Sequence, residues 1–229
     1  MNVDSLLEQI NQLPPDWHLA GSVSKEVLSS IVKYVGLREI ANSLETGTGK
    51  TTLLLSHLSA NHKVFTVASD ASGSYEAVAA SPLLNRDHVE FIVGSTQKTL
   101  PRQEFDCRFQ FALIDGPHAY PFPDLEYYFV YPALEHGALF VLDDIQIPTI
   151  RNLFAFLKED AMFELIEVVG NTAFFRRTAA PTFDPFGDGW EGQLYNTKNS
   201  PRRAPRLTSK LKSLLPAPIR AIGRTLLRR

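Results

Sequence analysis

The stretch that most constrains this chain is Ser43-Leu44-Glu45-Thr46-Gly47-Thr48-Gly49-Lys50-Thr51-Thr52. Ile40, Ala41 and Leu44 approach it as the end of a buried strand. Glycines follow at two-residue spacing, and Leu53-Leu54-Leu55 opens a helical pattern. Strand, glycine turn and helix, in that order, is how an α/β sheet prepares a nucleotide site. Glycine lets the backbone turn tightly and approach a ligand closely, and the helix N-terminus offers unpaired N–H groups.

Two ligands compete for that turn. Gly49-Lys50-Thr51 matches the tail of a P-loop, whose lysine and hydroxyl serve a β/γ-phosphate and Mg²⁺. A P-loop needs its first glycine at position 44, and Leu44 stands there. The other reading is acid-x-Gly-x-Gly, here Glu45-Thr46-Gly47-Thr48-Gly49, which fits without a missing residue. In this form the stretch resembles the first motif of the Rossmann-like (class I) S-adenosylmethionine (SAM) methyltransferases.

The rest of the pattern is α/β. A short helix with Leu6, Leu7, Ile10 and Leu13 is stopped by Pro14-Pro15. Ser24 is an N-cap for a helix with Val27, Leu28, Ile31, Val32 and Val35 on one face, ending at Gly36. The glycine turn leads to a helix over 51–59 and a second strand over 63–69, ending at Asp70. A helix at 75–80 precedes a strand over 89–93 and Gly94-Ser95-Thr96. The continuous apolar run 109–114 reads as a strand buried on both faces, halted at Asp115-Gly116-Pro117-His118. A fifth strand, 138–142, ends in Asp143-Asp144, and a helix over 149–158 follows. Two strand-like runs, 163–169 and 172–177, flank Gly170-Asn171, a tight hairpin signal. The expected architecture is a three-layer α/β fold whose seven-stranded, mostly parallel sheet finishes in an antiparallel hairpin. That reversed finish belongs to the methyltransferase fold and is foreign to the plain dinucleotide Rossmann fold.

The resemblance implies where a methyl donor would bind. SAM would lie across the carboxyl ends of the first three strands. Gly47, Thr48 and Gly49 would approach its methionine part, and Glu45 its amino group. Asp70 lies 21 residues past Gly49, close to the interval of roughly 20 at which an acid takes the ribose hydroxyls. Capping of the helix near Ser74 is its alternative use. Gly94 and Ser95 face the adenine region, and Asp115 closes the cofactor wall. By analogy with the family, N-terminal helices lean over the cofactor, so Trp17 and His18 either line the pocket or make structural contacts.

Asp115, Asp143 and Asp144 should converge at one sheet edge, where three carboxylates repel unless a cation joins them. Oxygen ligands of this kind suit Mg²⁺ or another hard divalent ion. The set resembles that of metal-dependent O-methyltransferases. Asp115-Gly116-Pro117-His118 resembles the Asp-x-x-His of the sugar and macrolide branch, in which the histidine is the general base, so His118 and Asp115 are the catalytic candidates. The lysine base of the catechol branch is missing from this loop, which favours a saturated alcohol such as a sugar hydroxyl on a small-molecule or saccharide acceptor. Helix capping is the competing role for Asp143 and Asp144, and a polar loop contact the competing role for His118. Thr51 stands where many members of the family carry a third glycine.

The 229 residues divide by character: an N-terminal helical cap (1–38), the SAM-binding domain (39–178) and a final segment (179–229). That last part begins with prolines and glycines interleaved with Phe183, Phe186, Trp190 and Tyr195, and reads as irregular chain pinned by aromatics. From Lys198 onward there are ten Lys/Arg and no Asp/Glu, so the tail carries +10 against −12 for the remainder. Leucines and isoleucines recur there at helical intervals, broken by Pro216 and Pro218. Two readings stand: a cationic foot on an anionic membrane or acidic partner, or a disordered basic tail. Nucleic acid is disfavoured because the acidic body opposes it. A homo-oligomer is left open. A single cysteine, Cys107, and no signal-peptide pattern or membrane-length apolar run fit a cytoplasmic protein, peripheral to a membrane if the tail binds one.

Overall fold

The structure, a computed structural model, describes residues 2–14, 17, 21–36, 40–68, 71–182 and 193–199. Two helices open the chain. In α1 (Val3–Asn11) the Asn2 side chain accepts from the Asp4 N–H, and Leu6 and Ile10 are buried. In α2 (Lys25–Val35) Ser24 caps by accepting from the Val27 N–H, and Val27, Leu28, Ile31 and Val35 of the predicted apolar stripe are buried while Val32 is half-buried.

The sheet is built from β1 (Ile40–Thr46), β2 (Ser59–Thr66), β3 (Val89–Val93), β4 (Phe109–Ile114), β5 (Leu134–Leu142), β6 (Phe163–Val169) and β7 (Thr172–Arg177). Its order is β3-β2-β1-β4-β5-β7-β6. The first five strands run parallel, and β7 runs antiparallel to both β5 and β6. The hairpin turns at Gly170, whose φ of 58° suits glycine. Helices α3 (Lys50–Leu58), α4 (Ser74–Ala80), α5 (Thr96–Thr99), α6 (Phe122–Val130) and α7 (Pro148–Glu159) make the crossovers.

Alternation along β5 shows how the layers are glued. Leu139 and Val141 join Leu6, Ile10, Ile31, Leu53, Phe111 and Phe174 on the α1–α2–α3 side. Ala138, Phe140 and Leu142 join Tyr127, Val130, Leu153, Leu157, Phe163 and Phe175 on the α6–α7 side. A strand buried on both faces must be apolar at every position, which is the run its sequence shows. Trp17 packs against the first of these clusters. His18 lies outside the described residues.

Two strands begin earlier than hydrophobicity suggests. β2 starts at Ser59, directly after α3, and ends at Thr66, whereas the apolar run placed it over 63–69. Its polar first half resembles a turn by composition, yet it pairs with an equally polar half of β1: Ser43 opposes His62, and their side chains meet at 2.8 Å. A buried polar group costs little when its partner is supplied across the ladder. β5 likewise begins at Leu134 rather than at residue 138.

The chain divides into two compact units, Met1–Gly189 and Trp190–Arg229. In the second, the described residues hold α8 (Leu194–Asn199), a short helix within a stretch expected to be irregular. Phe183, Phe186, Trp190 and the basic tail from 200 onward lie outside the described residues. No helix among the described residues is long and apolar enough to cross a membrane.

Candidate active site

Strand register brings the site together. Thr46 stands beside Phe65 of β2 and Ile114 of β4, Thr66 beside Val93, and Ile114 beside Leu142. The residues that follow these strand ends therefore line one carboxyl edge, where open α/β sheets bind ligands. A cleft of about 480 Å³ opens there. It is lined by Gly47 and Thr48 after β1, Val67 after β2, Gly94 to Gln97 after β3, Asp115 to His118 after β4, and Asp143 and Asp144 after β5. Gly21 and Ser22, from the segment before α2, complete the wall.

The glycine turn is locked before any ligand arrives. The Gly47 N–H donates to Phe65 O at 2.9 Å, and its φ is 89°. A Cβ at this position would collide with the Asp115 carbonyl oxygen, so the turns after β1 and β4 touch through glycine. Thr48 donates its hydroxyl to Thr66. The Gly49 N–H donates to Thr52 Oγ1 at 3.0 Å, and that hydroxyl donates to Glu45. Both glycine amides thus have protein acceptors, which removes them from a phosphate cradle. Thr51 is 4% exposed, and neither it nor Lys50 lines the cleft. The P-loop reading has no geometry behind it.

Glu45 lies beneath the turn rather than in the cleft wall. It is fully buried, accepts from Thr52, and sits 3.2 Å from His62 Nε2. Neighbouring strand residues point to opposite faces, and this one faces α3. Gly49 also stays out of the wall. Gly47, Thr48, Gly94, Ser95 and Asp115 do line it. Asp70 lies outside the described residues. The N-cap position of α4 is Gly73, in the left-handed region.

At the other end of the cleft Asp115, His118 and Asp144 converge, each offering a ligand atom within 4.8 Å of the others. His118 Nε2 is 3.2 Å from Asp144 Oδ2 and 3.8 Å from Asp115 Oδ1. Asp143 stands apart from this group: its Oδ1 accepts from the Thr172 hydroxyl on β7. Neither Asp143 nor Asp144 caps α7, whose N-cap position is Ile147. Asp144 adopts a φ of 55°, uncommon for a residue with a side chain and a frequent mark of functional sites.

The electrostatics follow from crowding. Burial pushes the Asp115 carboxyl up to about 7, Asp143 and Asp144 add like-charge repulsion, and hydrogen bonding to His118 opposes them. The side chain keeps 30% exposure toward the cleft, and solvent there moderates the shift. The Asp115 carboxylate raises His118 above its ordinary value of 6.5. Burial also raises Asp143, against the Thr172 hydrogen bond.

Sequence reasoning passed over one acid. Glu126 occupies a core position of α6, with Pro123, Tyr127 and Val130 on the same buried stripe. A carboxylate at helical spacing among apolar residues is the signal that marks it. Burial pushes Glu126 up to about 7, opposed by hydroxyls of Thr96 and Thr46. A carboxyl raised from 4.5 binds its proton more tightly folded than unfolded, so its stabilising contribution is complete below pH 4.5 and is lost as the pH rises through 7. The displacement corresponds to about 3 kcal/mol. Glu126→Gln therefore melts higher than the parent at pH 8, by up to ~8 °C for a chain of this size, and the gap closes toward pH 5. Thermal unfolding of both proteins at the two pH values checks this; an equal gap at both would refute it.

A sheet of order β3-β2-β1-β4-β5-β7-β6 with a reversed β7, carrying its cleft at the carboxyl edge, defines the class I methyltransferase fold. Residues 44–145 match the family described as a methyltransferase domain. The chain thus has the Rossmann-like methyltransferase fold. Among solved structures it is similar to the O-methyltransferase TomG from Streptomyces achromogenes in complex with SAM. The TM-score is 0.57 at 18% identity, over 77% of this chain and 91% of that one. It is also similar to an O-methyltransferase from Bacillus cereus in complex with SAH, with a TM-score of 0.58 at 18% identity, over 76% and 91% of the two chains. No curated protein matches the chain in sequence.

Proposed function

We propose that this protein is a SAM-dependent O-methyltransferase acting on a hydroxyl of a small molecule, with a sugar or other saturated alcohol as the favoured acceptor. The observation that carries the reading is the meeting of Asp115, His118 and Asp144 in the same cleft as the glycine turn. SAM and SAH complexes among the structural neighbours support the choice of donor. When bound, SAM supplies a methyl group on a sulfonium, ready for in-line displacement by an oxygen nucleophile.

The chain's own residues would then divide the work. Gly47, Thr48, Gly94 and Ser95 hold the cofactor, with Asp70 assigned to the ribose by its spacing. Glu45 serves from below, holding Thr52 and through it the Gly49 amide. His118 accepts the proton of the acceptor hydroxyl, a task matched to an imidazole whose basicity two carboxylates increase. Most of the acceleration comes from positioning and fixed charge.

The donor set fits a hard divalent cation such as Mg²⁺, because Asp115 and Asp144 present oxygens that repel each other when it is absent. When bound, such an ion neutralises the carboxylates and raises the acidity of a nearby hydroxyl.

The test is calorimetry followed by turnover. SAH binds with an affinity on the order of micromolar while ATP·Mg gives no heat. SAH release from SAM rises with glycoside acceptors and stays at background with catechol. ATP·Mg binding that Lys50→Ala abolishes, with no heat from SAH, would overturn the reading in favour of a triphosphatase.

A further inference from the structure

We propose that Glu126 is a positioning residue, a buried strut that sets the shape of the cleft by holding the turns after β1 and β4 against each other. The inference rests on the methyltransferase reading above and assigns to this acid a task that none of the cleft-lining residues performs.

The geometry is specific. The Asp115 N–H donates to Thr46 Oγ1 at 3.1 Å, and Thr46 Oγ1 donates to Glu126 Oε2 at 2.7 Å. A hydroxyl owns one proton and rotates freely about its C–O bond. Glu126 captures that proton, so the lone pairs of Thr46 stay aimed at the Asp115 amide. Without the carboxyl, the hydroxyl turns to other acceptors and the Asp115 N–H loses a fixed partner.

Gly116 supplies the second contact. A Cβ at that position would run into both Glu126 carboxyl oxygens, so the turn that carries Asp115 rests directly on the strut. The third contact is Thr96, the first residue of α5, whose hydroxyl acts on the same carboxyl. Glu126 Oε1 and Thr96 Oγ1 are both buried without a partner of good hydrogen-bond geometry. Unpaired buried polar atoms are costly and rare. A neutral carboxyl resolves both, with Oε1–H directed at Thr96 while Oε2 accepts from Thr46. One side chain from α6 thereby meets the backbone or hydroxyls at the ends of β1, β3 and β4, and the segments that follow all three carry cleft-lining residues.

Three variants test the strut by SAH calorimetry and by kcat, with thermal melting as the control for folding. Glu126→Gln reproduces the neutral acid, accepting from Thr46 and donating to Thr96, so SAH affinity and kcat stay within about twofold of the parent. Glu126→Leu leaves the buried Thr46 and Thr96 hydroxyls without the carboxyl they face, so it folds but melts below Glu126→Gln. It also weakens SAH about tenfold and lowers kcat. Thr46→Val, nearly the same shape, produces a loss in the same direction, and the Glu126→Leu/Thr46→Val double variant is no worse than the more affected single, as expected of one chain of contacts. SAH affinity and kcat unchanged in Glu126→Leu would overturn the inference, as would additive losses in the double variant. Should Glu126→Leu not fold, Thr46→Val decides alone: a parental SAH affinity and kcat would overturn it. A parent protein that binds no SAH would instead refute the methyltransferase reading itself.

Discussion

Replacing His118 by alanine lowers kcat by about 10²–10⁴-fold and leaves SAH affinity as it was. Among the described residues lining the cleft, the imidazole is the one group whose ordinary pKa lies near neutrality and whose surroundings push it further up. Its Nε2 faces Asp144 and Asp115, and its backbone carbonyl accepts from the Thr149 hydroxyl at 2.5 Å, which ties the loop to the start of α7. The side chain is 43% exposed, so it is reachable by an acceptor. A base must be neutral to take a proton. The parent's kcat therefore rises with pH through a limb above 6.5, and the variant lacks that limb. Measuring kcat from pH 5 to 9, alongside Mg²⁺ affinity, discriminates two roles. A lost acid limb with unchanged Mg²⁺ binding marks a base, whereas loss of Mg²⁺ affinity in step with kcat would reassign His118 as a ligand.

Gly47→Ala is expected to abolish detectable SAH binding and to destabilise the fold. Two costs add at this residue. A φ of 89° costs a side-chain-bearing residue about 1–2 kcal/mol. The new methyl also meets the Asp115 carbonyl, which is backbone and has no rotamer to yield. Relief requires the turns after β1 and β4 to separate, and both carry cleft-lining residues. The combined loss is about 4 kcal/mol or more, at the severe end for a single substitution. Gly170→Ala is the matched control. It too has a positive φ, but nothing lies within 4 Å of its added Cβ. Only the conformational cost applies, and SAH affinity is untouched. Calorimetry and denaturant unfolding on both variants check this; SAH binding by Gly47→Ala at parental affinity would contradict it.

Much of the fold is legible in the chain because its signals are local. Runs such as 109–114 and 138–142 are apolar at every position, as a strand covered on both faces must be. Ser24 caps α2 and Gly170-Asn171 turns the last hairpin through contacts among near neighbours in sequence. The early start of β2 was hidden because Ser59 and His62 are polar, and only the opposite strand shows that Ser43 pairs with His62 Nδ1. The site divides in the same way. Gly47, Thr48, Gly94, Ser95 and Asp115 end or follow strands, and strand ends can be counted.

The amino-acid sequence alone determined the order of the elements, the glycine turn and the placing of acids after the fourth and fifth strands, since periodicity and turn chemistry act over a few residues. Only the tertiary structure decided which way those side chains point. Glu45 and Thr46 are adjacent, yet one is buried against Thr52 of α3 and the other reaches Glu126 of α6, because the pleat sends successive residues to opposite layers. Asp143 and Asp144 are adjacent as well, and a left-handed backbone at Asp144 turns it toward His118 while Asp143 is drawn to Thr172. Three of these four contacts join residues 26 to 80 positions apart, and no local pattern encodes them.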